Sequence, residues 1–407
     1  MDLSKFRERD RLLAGCATAM ICVITLVGLC LTSDAAAFDF PFAITIADLN
    51  NDGLPDITVA VTNITGAPPH PGFVSVILQD SLRPGTFLPG EHYSAGTDPL
   101  AIAAGDLNGD GCLDLAVADS SSGKVSILMQ DPSNPGEFLP QVRISVGGSP
   151  SGIEIADIDG DGRADIAVAT VATLKILYQD PSGPPGYFLP PVTIPTGHGS
   201  WAVAIGDVNG DGVPDLVSVS GVVSVMLQDT DQRGTFLPAS DFHADLQPTA
   251  IKIGDLNGDG LPDLVVANLG SPTAEASAYV SILLQNPANP GSFLRRANYK
   301  AGARTSDIAI GDLNEDGVPD LVAANNGRFN NTGSVSVLLQ KPPRKGTELA
   351  FSRKNYAGKT GPSSIAIGDL NDDGYPDLAV ADGKGATVLF QKPGLPGRFS
   401  LPVQVGE

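Results

Sequence analysis

A nine-residue segment of the form Asp-x-Asn/Asp-x-Asp-Gly-x-x-Asp occurs seven times in this 407-residue chain, and no other feature restricts its fold so strongly. The copies begin at Asp48, Asp106, Asp157, Asp207, Asp255, Asp312 and Asp369, at intervals of 58, 51, 50, 48, 57 and 57 residues. A unit repeated at a near-constant period buries its apolar face against its own copies, so the chain must form a stacked or radial array.

The spacing also dictates a chemistry. In the second copy, positions 1, 3, 5 and 9 are Asp106, Asn108, Asp110 and Asp114, and Gly111 at position 6 permits a turn that a Cβ would obstruct. The same four positions are Asp48, Asn50, Asp52 and Asp56 in the first copy, and Asp157, Asp159, Asp161 and Asp165 in the third. They are Asp207, Asn209, Asp211 and Asp215 in the fourth, and Asp255, Asn257, Asp259 and Asp263 in the fifth. The sixth has Asp312, Asn314, Asp316 and Asp320, and the seventh Asp369, Asn371, Asp373 and Asp377. Position 7 shows no shared chemistry (Leu54, Cys112, Arg163, Val213, Leu261, Val318, Tyr375), as expected if only its backbone carbonyl faces an ion.

An all-oxygen donor set without thiol or imidazole disfavours zinc, copper and iron. It suits calcium, and magnesium less well, so up to seven Ca2+ are expected. An EF-hand or dockerin loop needs a carboxylate at position 12, where this chain has Val59, Val117, Val168, Ser218, Val266, Ala323 and Val380. For one isolated copy an ordinary Asn/Asp/Gly turn would be an adequate reading; seven in phase argue for metal loops between strands.

Charge points the same way. The chain holds 25 Lys+Arg against 46 Asp+Glu, and the net −21 lies wholly beyond residue 37. Clustered carboxylates repel one another without a cation, so calcium is expected to act as a folding cofactor. So acidic a surface argues against nucleic acid as a partner.

Residues 1–11 carry Lys5, Arg7, Arg9 and Arg11; residues 12–33 are uncharged, and Ala35-Ala36-Ala37 follows. That order reads as a secretory signal cleaved after Ala37. The apolar run is also long enough to span a bilayer, so an uncleaved anchor is the alternative. Either reading exports the remainder, to the medium, the cell surface or a periplasm. Cys112 is the one cysteine beyond residue 37, so no intramolecular disulfide is available there.

From residue 38 to 407 each unit reads as four strands. Strand A is rich in small residues and ends at the carboxylate loop (43–47, 202–206). Strand B follows it (56–60, 263–267), strand C ends in glutamine (74–79, 125–130, 335–340), and strand D follows a Pro/Gly turn with Phe-Leu-Pro (87–89, 138–140). Seven such units indicate an all-β, seven-bladed β-propeller, with a linear solenoid as the alternative. Pro41 lies seven residues before Asp48, as Pro99, Pro150, Pro248 and Pro362 precede their own aspartates. The array therefore starts at a strand A and ends at a strand D, with no spare strand to swap between the first and last blades.

The pattern Ile-Ala-Ile-Gly-Asp-Leu-Asn-x-Asp-Gly-x-Pro-Asp-Leu (308–321, 365–378) resembles the FG-GAP repeats of integrin α-subunit propellers, and more closely the bacterial VCBS-type repeats of that superfamily. The resemblance covers nearly all of the chain beyond residue 37. It implies calcium held through positions 1, 3, 5 and 9 and the carbonyl of 7. It does not transfer an integrin's partner, because function resides in sites rather than folds.

Catalytic equipment is thin. None of His70, His92, His198 and His243 has a partner at useful spacing, and no Gly-x-Ser-x-Gly or phosphate loop occurs. Trp201, the one tryptophan, reads as an axial plug, with a sugar-stacking platform as the alternative. The B–C loops of blades 1, 5 and 6 (62–72, 268–279, 325–334) are long and enlarge one sector of the ring. The expected function is a monomeric, non-enzymatic binding or adhesion module for an extracellular protein or glycan. A lectin with sites between blades is the first alternative and an extracellular hydrolase or lyase the second.

Overall fold

The computed structural model describes residues 38–64, 70–270, 279–327, 333–342, 349–357 and 361–406. The expected signal or anchor (1–37) lies outside these residues, as do the middles of the three long B–C loops (65–69, 271–278, 328–332). The described residues form seven four-stranded antiparallel sheets, each made of four consecutive strands in the order A-B-C-D. The first comprises Phe38–Ala47, Asp56–Ile64, Pro71–Ile77 and Glu91–Thr97. The other A strands are Pro99–Gly105, Pro150–Ala156, Ala202–Gly206, Pro248–Gly254, Thr305–Gly311 and Ser364–Gly368. Together the seven A strands surround an axial cavity of about 470 Å3. The propeller, its blade count and the absence of a swapped strand all follow the sequence reading.

The composition of each strand follows from its radial position. Strand B of blade 2, Asp114–Asp119, is buried along its whole length because blades pack on both of its faces. It reads Asp-Leu-Ala-Val-Ala-Asp, a continuous apolar run rather than an alternation. The outer strand Val142–Ser145 is mostly exposed and correspondingly polar. The ladder between strands A and B shifts register in the first part of strand A, as between Pro41 and Ala43, between Pro99 and Ala101 and, with no proline, between Thr305 and Asp307.

Seven apolar clusters occupy the seams between blades. At the seam of blades 1 and 2, Leu49, Ala60, Val74 and Val76 meet Ile102, Leu115, Val117, Leu128 and Phe138. The closing seam is built alike, with Leu370, Ala379, Ala381 and Val388 of blade 7 against Ile44, Ile57, Val59 and Ile77 of blade 1. Two hydroxyl bonds tie it further: Ser363 Oγ donates to Pro41 O at 2.8 Å, and Ile44 N to Ser364 Oγ at 3.4 Å.

Two details differ from the sequence reading. The glutamine expected to end strand C lies two residues past it in six blades, where it makes a single bridge to the phenylalanine after the C–D turn, as in Gln79–Phe87 beyond Pro71–Ile77, and strand D begins only beyond that stretch, at Glu91 or Val142. Trp201 is half-buried, its backbone N–H donates to Val219 O, and it is not among the residues lining the axial cavity.

Closure through an ordinary seam makes a prediction. Leu370→Ala at the closing seam and Leu256→Ala at the seam of blades 5 and 6 remove side chains that are both fully buried. Each should cost about 2–5 kcal/mol, with equal losses in denaturant unfolding to within about 1 kcal/mol. A much smaller loss for Leu370→Ala would mean that the ring is not closed.

Candidate functional site

All seven carboxylate loops lie on one face of the ring, and each is a succession of side-chain-to-backbone turns. The position-1 carboxylate accepts from the N–H of position 6, as Gly53 N to Asp48 Oδ2 at 2.9 Å and Gly260 N to Asp255 Oδ2 at 2.8 Å. The position-3 oxygen accepts from the N–H of position 5, as Asp110 N to Asn108 Oδ1 at 2.8 Å. The position-5 carboxylate accepts from the N–H of position 7, as Cys112 N to Asp110 Oδ1 at 2.8 Å and Tyr375 N to Asp373 Oδ1 at 2.9 Å. The position-6 glycines have φ near +85°, for example +88° at Gly53 and +85° at Gly111, and nothing lies within 4 Å of a Cβ built on either. Backbone conformation, not crowding, requires glycine there.

Position 9 behaves differently. Asp56, Asp114, Asp215, Asp263, Asp320 and Asp377 are fully buried, and Asp165 nearly so. In each case one oxygen accepts from the N–H of loop position 2 and the other from the N–H of the glutamine before the C–D turn. For Asp263 the donors are Leu256 N at 3.0 Å and Gln285 N at 2.8 Å; for Asp56 they are Leu49 N at 2.8 Å and Gln79 N at 2.7 Å. Burial pushes the Asp56, Asp263 and Asp377 carboxyls up to about 7, opposed by these two N–H donors and aided by the charges at positions 5 and 1. The same causes bring Asp114, Asp215 and Asp320 up to about 6, and burial with the position-3 charge of Asp159 brings Asp165 there too.

In the third loop Asp157, Asp159 and Asp165 bring one oxygen each within 4.8 Å of the others. Positions 1, 3 and 9 thus converge, whereas Asp161 at position 5 is not part of that group. Burial, then the Asp161 charge, raises the Asp159 carboxyl above its ordinary range. A hard cation fits such a donor set: its oxygens are crowded, partly desolvated and rich in negative charge. The two oxygens of position 9 already hold backbone N–H groups, so that residue serves the fold whether or not it also serves a metal.

The strand-C glutamines are site residues whose role the sequence reading missed. Gln179, Gln228, Gln285 and Gln340 each donate a carboxamide N–H to the position-2 carbonyl of the preceding blade, for example Gln179 Nε2 to Leu107 O at 2.6 Å and Gln340 Nε2 to Leu256 O at 2.7 Å. Glutamine at every strand-C end was visible as a pattern; its partner in another blade was not. One histidine also gains a partner: His198 Nε2 stands 3.2 Å from Asp241 Oδ2. Ser224 Oγ donates to the other Asp241 oxygen at 2.7 Å, so serine and histidine share a carboxylate rather than forming a nucleophile–base pair.

Two expectations follow for the metal-free chain. Asp263→Ala leaves two buried N–H groups without acceptors and should cost about 2–5 kcal/mol, whereas Asp259→Ala at the exposed position 5 should cost under about 1 kcal/mol, both read by urea unfolding in chelator. The position-9 carboxyls hold protons in the fold up to about 6–7, while the unfolded chain releases them near the ordinary aspartate value of 3.8. Between those values the folded state binds more protons, so stability in chelator should fall as pH rises from about 4 to about 7. Saturating calcium should abolish or reverse that trend, because the cation takes the place of the protons.

A family model described as "FG-GAP-like repeat" matches residues 48–117, 106–168, 160–218, 216–266 and 312–380. Human integrin alpha-7 is 32% identical over 152 residues, a match covering 34% of this chain and 12% of the integrin, so only a small part of that protein is represented. Among solved structures, an Agrocybe aegerita lectin, described as recognising non-reducing terminal N-acetylglucosamine, superposes with TM-score 0.52 at 18% identity, covering 88% of this chain and 93% of the lectin. BBS1N, solved in complex with ARL6DN, superposes with TM-score 0.53 at 12% identity, covering 90% of this chain and 98% of that one. At these identities the two structures bear on the fold alone. With the repeat model matching well over half of its length, the chain belongs to the FG-GAP-like repeat family of integrin α-type propellers.

Proposed function

We propose that this protein is an exported, calcium-held β-propeller that binds an extracellular protein or glycan in an adhesive role. The observation that carries the reading is the carboxylate loop itself, present on all seven blades with an all-oxygen donor set and a desolvated aspartate at position 9. Calcium supplies charge neutralisation and cross-linking of the loop, and its place is at positions 1, 3, 5 and 9 and the carbonyl of 7. Export by residues 1–37 accords with this, since extracellular fluid supplies calcium at the concentrations that weak surface sites need.

The binding role draws on the kinship with integrin alpha-7 and on the form of the ring. The carboxylate loops occupy one face. The D–A and B–C connections, which include the long loops of blades 1, 5 and 6, occupy the other, where we place recognition. The reading is non-enzymatic, since among the described residues Asp241 holds both His198 and the Ser224 hydroxyl, which leaves that serine hydrogen-bonded to the carboxylate rather than to the imidazole.

Calorimetric titration of the chelator-treated protein should find close to seven calcium ions, one per loop, with a rise in Tm of more than about 10 °C, the scale expected when ligand binding adds several kcal/mol. One ion or none, with Tm unmoved, would reduce the loops to turns. A glycan array probed in calcium separates the two ligand classes: selective glycan binding favours the lectin form, and silence there favours a protein ligand.

A further inference from the structure

Loop and seam meet in one direction only. The aliphatic side chain at position 2 of each loop is fully buried and enters the seam with the following blade: Leu107 of blade 2 packs with Ile153, Ile166 and Leu177 of blade 3, and Leu256 of blade 5 packs with Ile308 and Leu321 of blade 6. The carbonyl of that same residue accepts the cross-blade glutamine, Gln179 for Leu107 over 72 residues of chain and Gln340 for Leu256 over 84. A glycine in the next blade's C–D turn also lies against the loop. A Cβ built on Gly85 of blade 1 would come 2.9 Å from Asn371 Cβ at position 3 of blade 7, and one on Gly234 of blade 4 would come 3.2 Å from Asp159 Cβ at position 3 of blade 3. One built on Gly186 of blade 3 would meet Met129 Cε first, at 2.6 Å, with Asn108 Cβ at an ordinary contact distance of 3.5 Å.

We propose that each metal loop is half of a two-blade site. The glutamine before the C–D turn and the C–D glycine of the following blade position the loop's ligands, so that an ion bound in one blade clamps the seam to the next. The ion's own ligands come from a single blade. Their geometry depends on the following blade, because position 2 is anchored there and position 3 is backed there. The proposal rests on the calcium reading above. Gln179 is the positioning residue for the second loop, and Gln228 has the same role for the third, donating to Ile158 O at 3.0 Å.

Cys112 makes this testable without engineering a probe. It sits at position 7 of the second loop, is 8% exposed, and is the one cysteine beyond residue 37. The alkylation rate of Cys112 in the full chain, followed by mass spectrometry of its peptide across a calcium series, reports occupancy of that loop. Calcium should slow alkylation of the wild type. Gln179→Leu, in blade 3, should raise the half-protecting calcium concentration about tenfold, the usual effect of removing a group that supports a metal ligand. Gln228→Leu, which supports the third loop, should leave it unchanged. Gln179→Glu, which keeps the shape of the side chain but removes the donated N–H, provides a second variant should Gln179→Leu fail to fold.

Protection of the wild type with no shift in Gln179→Leu or Gln179→Glu would overturn the two-blade site and leave calcium binding intact. An equal shift in Gln228→Leu would show a general loss of stability and overturn it also. No protection of the wild type at any calcium concentration would remove the calcium reading on which the proposal stands.

Discussion

The propeller depends on a buried carboxylate that is used twice. Each position-9 aspartate holds the N–H at the start of its own loop with one oxygen and the N–H at the end of strand C with the other. The first bond closes the loop, and the second fixes where strand C stops. Without it the A–B loop and the C–D turn, which share a face, would have no common anchor, and the glutamine that reaches the neighbouring blade would lose its register. Burial of the carboxyl is costly, and the two N–H donors offset part of that cost. This accounts for aspartate at all seven position-9 sites, while position 7 varies from leucine to arginine.

Seam packing then makes the ring. Strand B is apolar throughout because it is covered on both sides, and strand A uses small residues because the centre is narrow. In blade 2, Gly105 ends strand A where a Cβ would come 2.7 Å from Ile155 of blade 3, and in blade 7 Gly368 plays the same part 3.1 Å from Ile46 of blade 1. The hydroxyls of Ser151, Thr249, Ser306 and Ser363, near the starts of their A strands, each donate to a carbonyl of the next blade. Local sequence in one blade is thus shaped by the surface of the next, which is the consistency across levels expected of a chain that folds to one state.

Much of the fold was legible in the residues. The period gave the blade count, and the prolines gave the phase that leaves no strand to swap. What stayed hidden was long-range pairing. Gln179 and Leu107 are 72 residues apart, and His198 and Asp241 come from different blades, so no spacing rule connects them. Strand D was the least visible element: its exposed face relaxes the alternation that marks a strand, and the Phe-Leu-Pro that signals it precedes it, because proline ends one bridge before the ladder resumes. The double use of position 9 was hidden for another reason, since an aspartate that binds metal and one that caps backbone N–H groups look alike in sequence.

The sheets are each made from consecutive strands, and the seam that joins blades 7 and 1 is of the same kind as the other six. No blade is therefore privileged as first. Blade 7 already touches blade 1 at its outer edge, Gly90 N at the start of strand D of blade 1 donating to Gly406 O at 3.2 Å. Opening the ring at any D–A connection and joining residue 406 to residue 38 through a short linker would cut no sheet and expose no new strand edge. The fold is indifferent to where its polypeptide starts: circularly permuted chains, one for each blade, would encode the same molecule.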